Sequence, residues 1–191
     1  MCIYTDTDKK VKGNKESMSS QPEITTNKMG KIFIWIAWII VLALLVFVFQ
    51  DVLEKQWNPN IQPEYRLTVT GKAEVHLLQN KQGHYVTQGK INDQNVTFLL
   101  DTGATNVSIP AHIADKLQLT SAGSHIAQTA NGNVRVYKTT LDQLNIGNLF
   151  LYNVSASINP GMKSDEILLG MSALKKVEFS QSGNLLILRE R

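Results

Sequence analysis

Across 191 residues there is a single cysteine, Cys2, so no disulfide can form within the chain and no thiolate cluster can hold a metal. Four histidines, His76, His84, His112 and His125, are scattered without the paired spacing of a zinc site. No metal or organic cofactor is expected. The net charge is only +3. Residues 1–31 carry six lysines against four acids, and residues 50–191 carry 13 basic and 12 acidic groups. No basic stripe with interleaved aromatics occurs, which excludes nucleic acid as an expected partner. Also missing are a Gly-x-Ser-x-Gly elbow, a His-Glu-x-x-His pair, a phosphate-binding glycine loop and any internal repeat. Serine-hydrolase, zinc-peptidase and nucleotide-hydrolase chemistries lose their usual carriers.

What is present begins with a polar segment. Residues 1–31 lack hydrophobic periodicity and read as a disordered cytoplasmic tail. Residues 32–49 follow, opening on Ile32 and closing on Phe49, without one charge. That length reaches the lower end of the roughly 17–25 residues a membrane-spanning helix needs. Trp35 and Trp38 near one end, and Trp57 beyond the other, suit interfacial belts. A cleavable signal peptide would want a shorter apolar core and a small-residue cleavage site. Gln50-Asp51-Val52-Leu53 follows instead, so the expectation is an uncleaved, single-pass anchor in the inner membrane. Lys12, Lys15, Lys28 and Lys31 precede the span, while only Lys55 and Arg66 lie as near after it. The N-terminus is therefore expected in the cytoplasm and the larger part outside it, in the periplasm of a bacterial envelope. Met29-Gly30-Lys31 offers an alternative start. Residues 50–64 read as a stalk in which helix could continue to Gln56, before Asn58-Pro59-Asn60 breaks it. The folded domain is expected over 65–191.

In that domain short strand signals follow one another at close spacing: residues 66–70, 73–78, 84–91, 96–100, 107–110, 124–129, 133–140, 141–146, 149–158, 167–169, 177–179 and 185–188. Residues 111–117 and 171–176 read as short helices, the first begun by Pro110. Such a pattern predicts an all-β barrel or sandwich with one or two short helices. Ala130-Asn131-Gly132 lies between two strand signals as a hairpin turn.

The apolar run Val96-Thr97-Phe98-Leu99-Leu100 ends abruptly in Asp101-Thr102-Gly103-Ala104-Thr105. A carboxylate placed where a buried strand stops is costly unless it is hydrogen-bonded. A hydroxyl residue and a glycine follow at once, supplying a partner and a tight turn. An ordinary β-turn capped by Asp101 would look the same locally. Further on, Leu168-Leu169-Gly170 closes a second apolar run just before a short helix.

The two motifs, in this order and at this distance, resemble the signatures of the retropepsin-like aspartic proteases. The resemblance covers about residues 85–190. It implies a retropepsin-like closed β-barrel, preceded here by a single transmembrane helix, in a membrane-anchored bacterial subgroup. It also implies Asp101 as the catalytic residue, with Thr102, Gly103 and Ala104 supporting the active-site loop. Leu169 and Gly170 would pack beside that loop, and the hairpin around Asn131 and Gly132 would be a flap over an extended peptide.

Peptide hydrolysis by carboxylates needs two of them sharing one proton. Asp93, Asp115, Asp142 and Asp165 are not followed by Thr-Gly or Ser-Gly, so the chain offers one such motif. A second Asp101 from an identical chain would complete the pair on a twofold axis. The expected function is a homodimeric, membrane-anchored aspartic endopeptidase acting on peptides or proteins. The alternative is a tethered β domain that binds peptides or partners without cutting them. Asn95, Asn106 and Asn153 open glycosylation sequons. A glycan on Asn106 would crowd Asp101, which favours a bacterial envelope.

Overall fold

A computed structural model describes residues 26–129 and 132–191. The chain divides into two units, Met1–Leu45 and Val46–Arg191. Residues 1–25, most of the segment read as a tail, lie outside the described residues. Helix α1 runs Thr26–Trp57, taking in the end of that segment as well as the first part of the expected stalk. Within it Gly30–Trp57 is long and apolar enough to cross a bilayer, a test that a signal sequence also passes. Pro59 stops the helix, because it has no N–H and disfavours helical backbone at the residue before it. The last helical bond runs from the Asn58 N–H to the Glu54 carbonyl at 2.8 Å.

Beyond Trp57 the structure departs from an extended stalk. Asn58 and Asn60 are each only 3% exposed. The Asn60 amide donates to the carbonyls of Leu78 (2.9 Å) and Val86 (2.7 Å), and its Oδ1 accepts from the Leu78 N–H (2.7 Å). Its own carbonyl accepts from the Gln88 N–H and the Thr87 hydroxyl. Asn80 donates to the Trp57 carbonyl. A side-chain amide carries donors and an acceptor together, so it can satisfy backbone groups of two neighbouring strands at once. These residues are built into the folded unit ahead of Tyr65.

Among the described residues, eleven strands in two sheets and two short helices follow. The smaller sheet has the order β1-β2-β11-β10, from Glu64–Leu67, Ala73–Leu78, Leu185–Glu190 and Val177–Ser182. The larger has the order β3-β4-β9-β5-β8-β7-β6. Its strands are β3 Val86–Ile91, β4 Gln94–Leu100, β5 Val107–Pro110, β6 Ser124–Thr129, β7 Gly132–Ile146, β8 Leu149–Asn159 and β9 Glu166–Leu169. Pairing of Lys90 with Asn145 and of Ile91 with Leu144 joins β3 to β7 and closes the sheet into an all-β barrel.

Closure needs a glycine. A Cβ on Gly89 would lie 2.4 Å from the Asn145 carbonyl oxygen and 2.7 Å from the Phe98 ring. The β3–β4 hairpin turns through Asn92 and Asp93, both with positive φ, the geometry of a two-residue primed turn. Residues 133–140 and 141–146 form one 15-residue strand rather than two, because no breaker lies between Thr140 and Leu141. The short helices are α2 Ala111–Lys116 and α3 Met171–Leu174. Val75, Leu77, Phe98, Ile109, Leu141, Ile167 and Leu188 fill the core.

Candidate active site

Strand β4 lies between β3 and β9, with Val96 and Phe98 buried. It runs antiparallel to β3 and parallel to β9, in register Leu99↔Leu168 and Leu100↔Leu169. Parallel pairing makes both apolar runs end at the same level, so Asp101 and Gly170 leave the sheet side by side. The Asp101 N–H donates to the Leu169 carbonyl at 3.2 Å, and the Leu100 N–H to the Tyr85 carbonyl at 3.0 Å. The strand end is thus held from both sides.

The loop then turns on itself. Asp101 Oδ1 accepts from the Gly103 N–H at 2.8 Å, and the Asp101 carbonyl accepts from the Ala104 N–H at 3.2 Å. This is the Asx-type turn that Asp and Gly favour. Among the described residues no hydrogen bond reaches Oδ2. Asp101 is half-buried, while Thr102 and Gly103 lie exposed at the surface of the single chain. A fixed carboxylate with one oxygen engaged and the other available can take up or give a proton in a defined direction.

Gly170 is where the second strand meets this loop. A Cβ there would sit 2.3 Å from the Asn106 carbonyl oxygen and 2.6 Å from that of Ala104. Those distances are below any real contact, so only glycine fits. Helix α3 begins immediately after it, with the Met171 N–H donating to the Ala104 carbonyl (2.8 Å) and the Ser172 N–H to that of Thr105 (2.9 Å). The first-turn donors of a helix lack partners within it, and here the Asp101 loop supplies them.

Two residues that sequence reasoning passed over take part. Ser172 Oγ accepts from the Val107 N–H at 3.0 Å and donates to the Ser155 carbonyl at 2.6 Å, tying α3 to β5 and β8. The only sequence signal was a hydroxyl residue in the first turn after Gly170. Tyr85 stands beside the strand end with its hydroxyl buried and without a partner among the described residues, and burial raises the phenol pKa above its ordinary value. It gave no signal in the sequence.

The hairpin expected as a flap is present as β6 and β7, with Thr129 opposite Gly132. Gly132 takes φ +100°, open to glycine but strained for other residues. Asn131 lies outside the described residues. Val134 packs against Gly161 in the loop leading toward β9, since a Cβ there would meet Val134 Cγ1 at 3.3 Å. The structure therefore brings Asp101–Ala104 together with Leu169 and Gly170, and rests the hairpin on the segment ahead of Leu169. His112 pairs with Asp165 through Nε2 at 2.9 Å on the surface.

A barrel that presents an Asp-Thr-Gly loop beside an apolar-apolar-Gly turn is a single aspartic-protease lobe. Comparison with known proteins agrees. The family model of the gag-polyprotein putative aspartyl protease matches residues 87–176, a span that holds both motifs. A retropepsin-like aspartic protease from Rickettsia conorii, solved as a crystal structure, is 28% identical with a TM-score of 0.50. The match covers 60% of this chain and 98% of that one. An uncharacterised protein encoded in the cobV 5′ region of a Sinorhizobium species is 30% identical over 163 residues, 80% of this chain and 69% of its own length. An uncharacterised protein of Rickettsia prowazekii is 26% identical over 162 residues, 79% of this chain and 68% of its own. The chain belongs to the retropepsin-like aspartic protease family.

Proposed function

We propose that this chain is an aspartic endopeptidase whose active site is completed by a second copy of itself. The observation that carries the reading is the Asp101 loop. It is rigidly seated at the end of a buried strand, its Thr102 and Gly103 are exposed, and the chain supplies only one such carboxylate. Two carboxylates brought within a few ångströms on a twofold axis cannot both ionise cheaply, so they share one proton. The ionised member takes a proton from water, whose oxygen adds to the scissile carbonyl carbon. The protonated member donates to the carbonyl oxygen. When the tetrahedral adduct collapses, the carboxyl that took the water's proton gives it to the leaving nitrogen, the C–N bond breaks, and the proton on the former carbonyl oxygen returns to the other carboxylate.

Thr102 would link the two loops across the axis, Gly103 and Ala104 would keep them close, and Leu169 with Gly170 would buttress each from behind. The hairpin carrying Asn131 and Gly132 would close over an extended peptide, bonding its backbone and excluding water. The apolar helix would act as an uncleaved inner-membrane anchor with the N-terminus in the cytoplasm and the barrel in the periplasm. Confinement to one bilayer raises the effective concentration of chains and favours a weak dimer.

The test compares the full chain in lipid nanodiscs with its Asp101→Asn variant. Both are incubated with an unstructured protein from acid to neutral pH, and peptide release and oligomer mass are recorded. Cleavage that disappears in the variant supports the reading. A folded wild-type dimer that releases no peptide at any pH replaces it with the non-catalytic binding domain.

A further inference from the structure

Strand β8 spans Leu149–Asn159, yet β5 pairs only with its last part, from Ala156 onward. From Leu149 to Tyr152 it has a strand neighbour on one side only, β7, before Asn153, at positive φ, interrupts the pairing. The Ser155 carbonyl, at the boundary, is capped by the Ser172 hydroxyl. Below that cap the backbone groups turned away from β7 have no strand partner among the described residues. An open cleft of about 480 Å³ runs along this free edge. Its walls carry two half-exposed aromatics, Phe150 (47%) and Tyr152 (55%), and the charged side chains of Lys175, Lys176, Arg191 and Glu190. None of the three cations forms an ion pair among the described residues. No residue of the cleft belongs to the Asp101 loop.

A free edge, aromatic side chains and unpaired cations ask for different things of a ligand. The edge takes an extended backbone, which can add as a further strand. The aromatics take apolar side chains, and three cations against one acid favour negative charge. Lysines near an open edge also discourage indiscriminate pairing with other strands, so an acidic strand is the kind this edge would admit. A lipid surface would use the cations but leave the strand edge idle. We infer that the β8 edge is a docking site for an extended, acidic, partly apolar peptide segment of another protein. The site recognises its partner whether or not Asp101 hydrolyses peptides.

The test uses the full chain in neutral detergent micelles, carrying Asp101→Asn so that no probe is consumed. Probes are fluorescein-labelled octapeptides: alternating Glu-Val, alternating Lys-Val, and a Glu-Val version N-methylated along one edge. Fluorescence anisotropy gives the affinities, and near-ultraviolet circular dichroism checks the fold. The expected result is binding of Glu-Val alone, weakened by about tenfold or more in Lys175→Glu/Lys176→Glu at unchanged dichroism. N-methylation should weaken it to a similar extent, since it removes strand donors without altering charge. Equal binding of the N-methylated or the Lys-Val probe overturns the inference, as does undiminished binding by a well-folded charge-reversed chain. If the reversal instead dissolves a dimer with which the Glu-Val probe never competes, the occupant is a second copy and the inference fails.

Discussion

At the scale of single residues, the site depends on where a side chain is missing as much as on where one is present. Gly170 lets the loop after β4 and the turn after β9 touch backbone to backbone, and a methyl group would collide with two carbonyl oxygens. Gly170→Ala is expected to cost about 1–3 kcal/mol, the usual range for overpacking, and to displace Asp101 through the bonds made by Ala104. Thermal unfolding and peptide hydrolysis measured on the same preparation would check both effects. In the smaller sheet, Glu74 offers a pH handle. Hydrogen bonds from His76 at 2.6 Å and from Arg189 at 2.5 Å hold its carboxyl below the ordinary carboxylate range. Its stabilising contribution is therefore complete above that range and fades as the pH falls through the lowered value. Melting temperatures recorded from pH 7 down to pH 3 should decline more steeply for the wild type than for Glu74→Gln.

At the scale of elements, the polar segment after the helix behaves as part of the barrel. Asn60 satisfies backbone groups of β2 and β3 that no strand pairs, and β3 in turn flanks the strand that carries Asp101. Asn60→Ala strands several buried partners, each worth about 1–3 kcal/mol when left unsatisfied. The expected loss is roughly 2–4 kcal/mol, with partial relief where water can reach the vacated groups. Denaturant melts of the full chain would measure it, and an unchanged midpoint would return residues 58–60 to the status of a passive stalk. Ser172 plays a comparable part for α3, since its hydroxyl joins β5 and β8 to the helix that receives the active-site loop. Ser172→Ala should lower stability by about 1–2 kcal/mol and lower turnover with it, while Ser172→Thr should retain more of both.

At the scale of the whole molecule, one chain carries one Asp-Thr-Gly carboxylate, and the question of completeness is a question of copies. Mixing equal amounts of wild-type and Asp101→Asn chains should lower activity per wild-type chain by about half if the site is shared on a twofold axis. Chains that each act alone would keep full activity in the mixture. The strands and the two motifs were legible in the sequence because they rest on local signals: apolar runs, glycines and turn residues at element ends. An all-β barrel or sandwich with few helices followed from the same signals, and the closed barrel was implied only by the family resemblance. Other features rest on partners far along the chain and could not be read locally. Asn60 meets Leu78 and Val86, Ser172 meets Ser155, and the bare half of β8 exists only because β5 stops at its end. Local sequence determines which residues want burial, extension or a turn, because those preferences act within a few bonds. Which strand ends lie side by side, which polar groups find each other, and which edge remains open are decided only when the sheet closes. Those are properties of register and packing between segments that the sequence keeps apart.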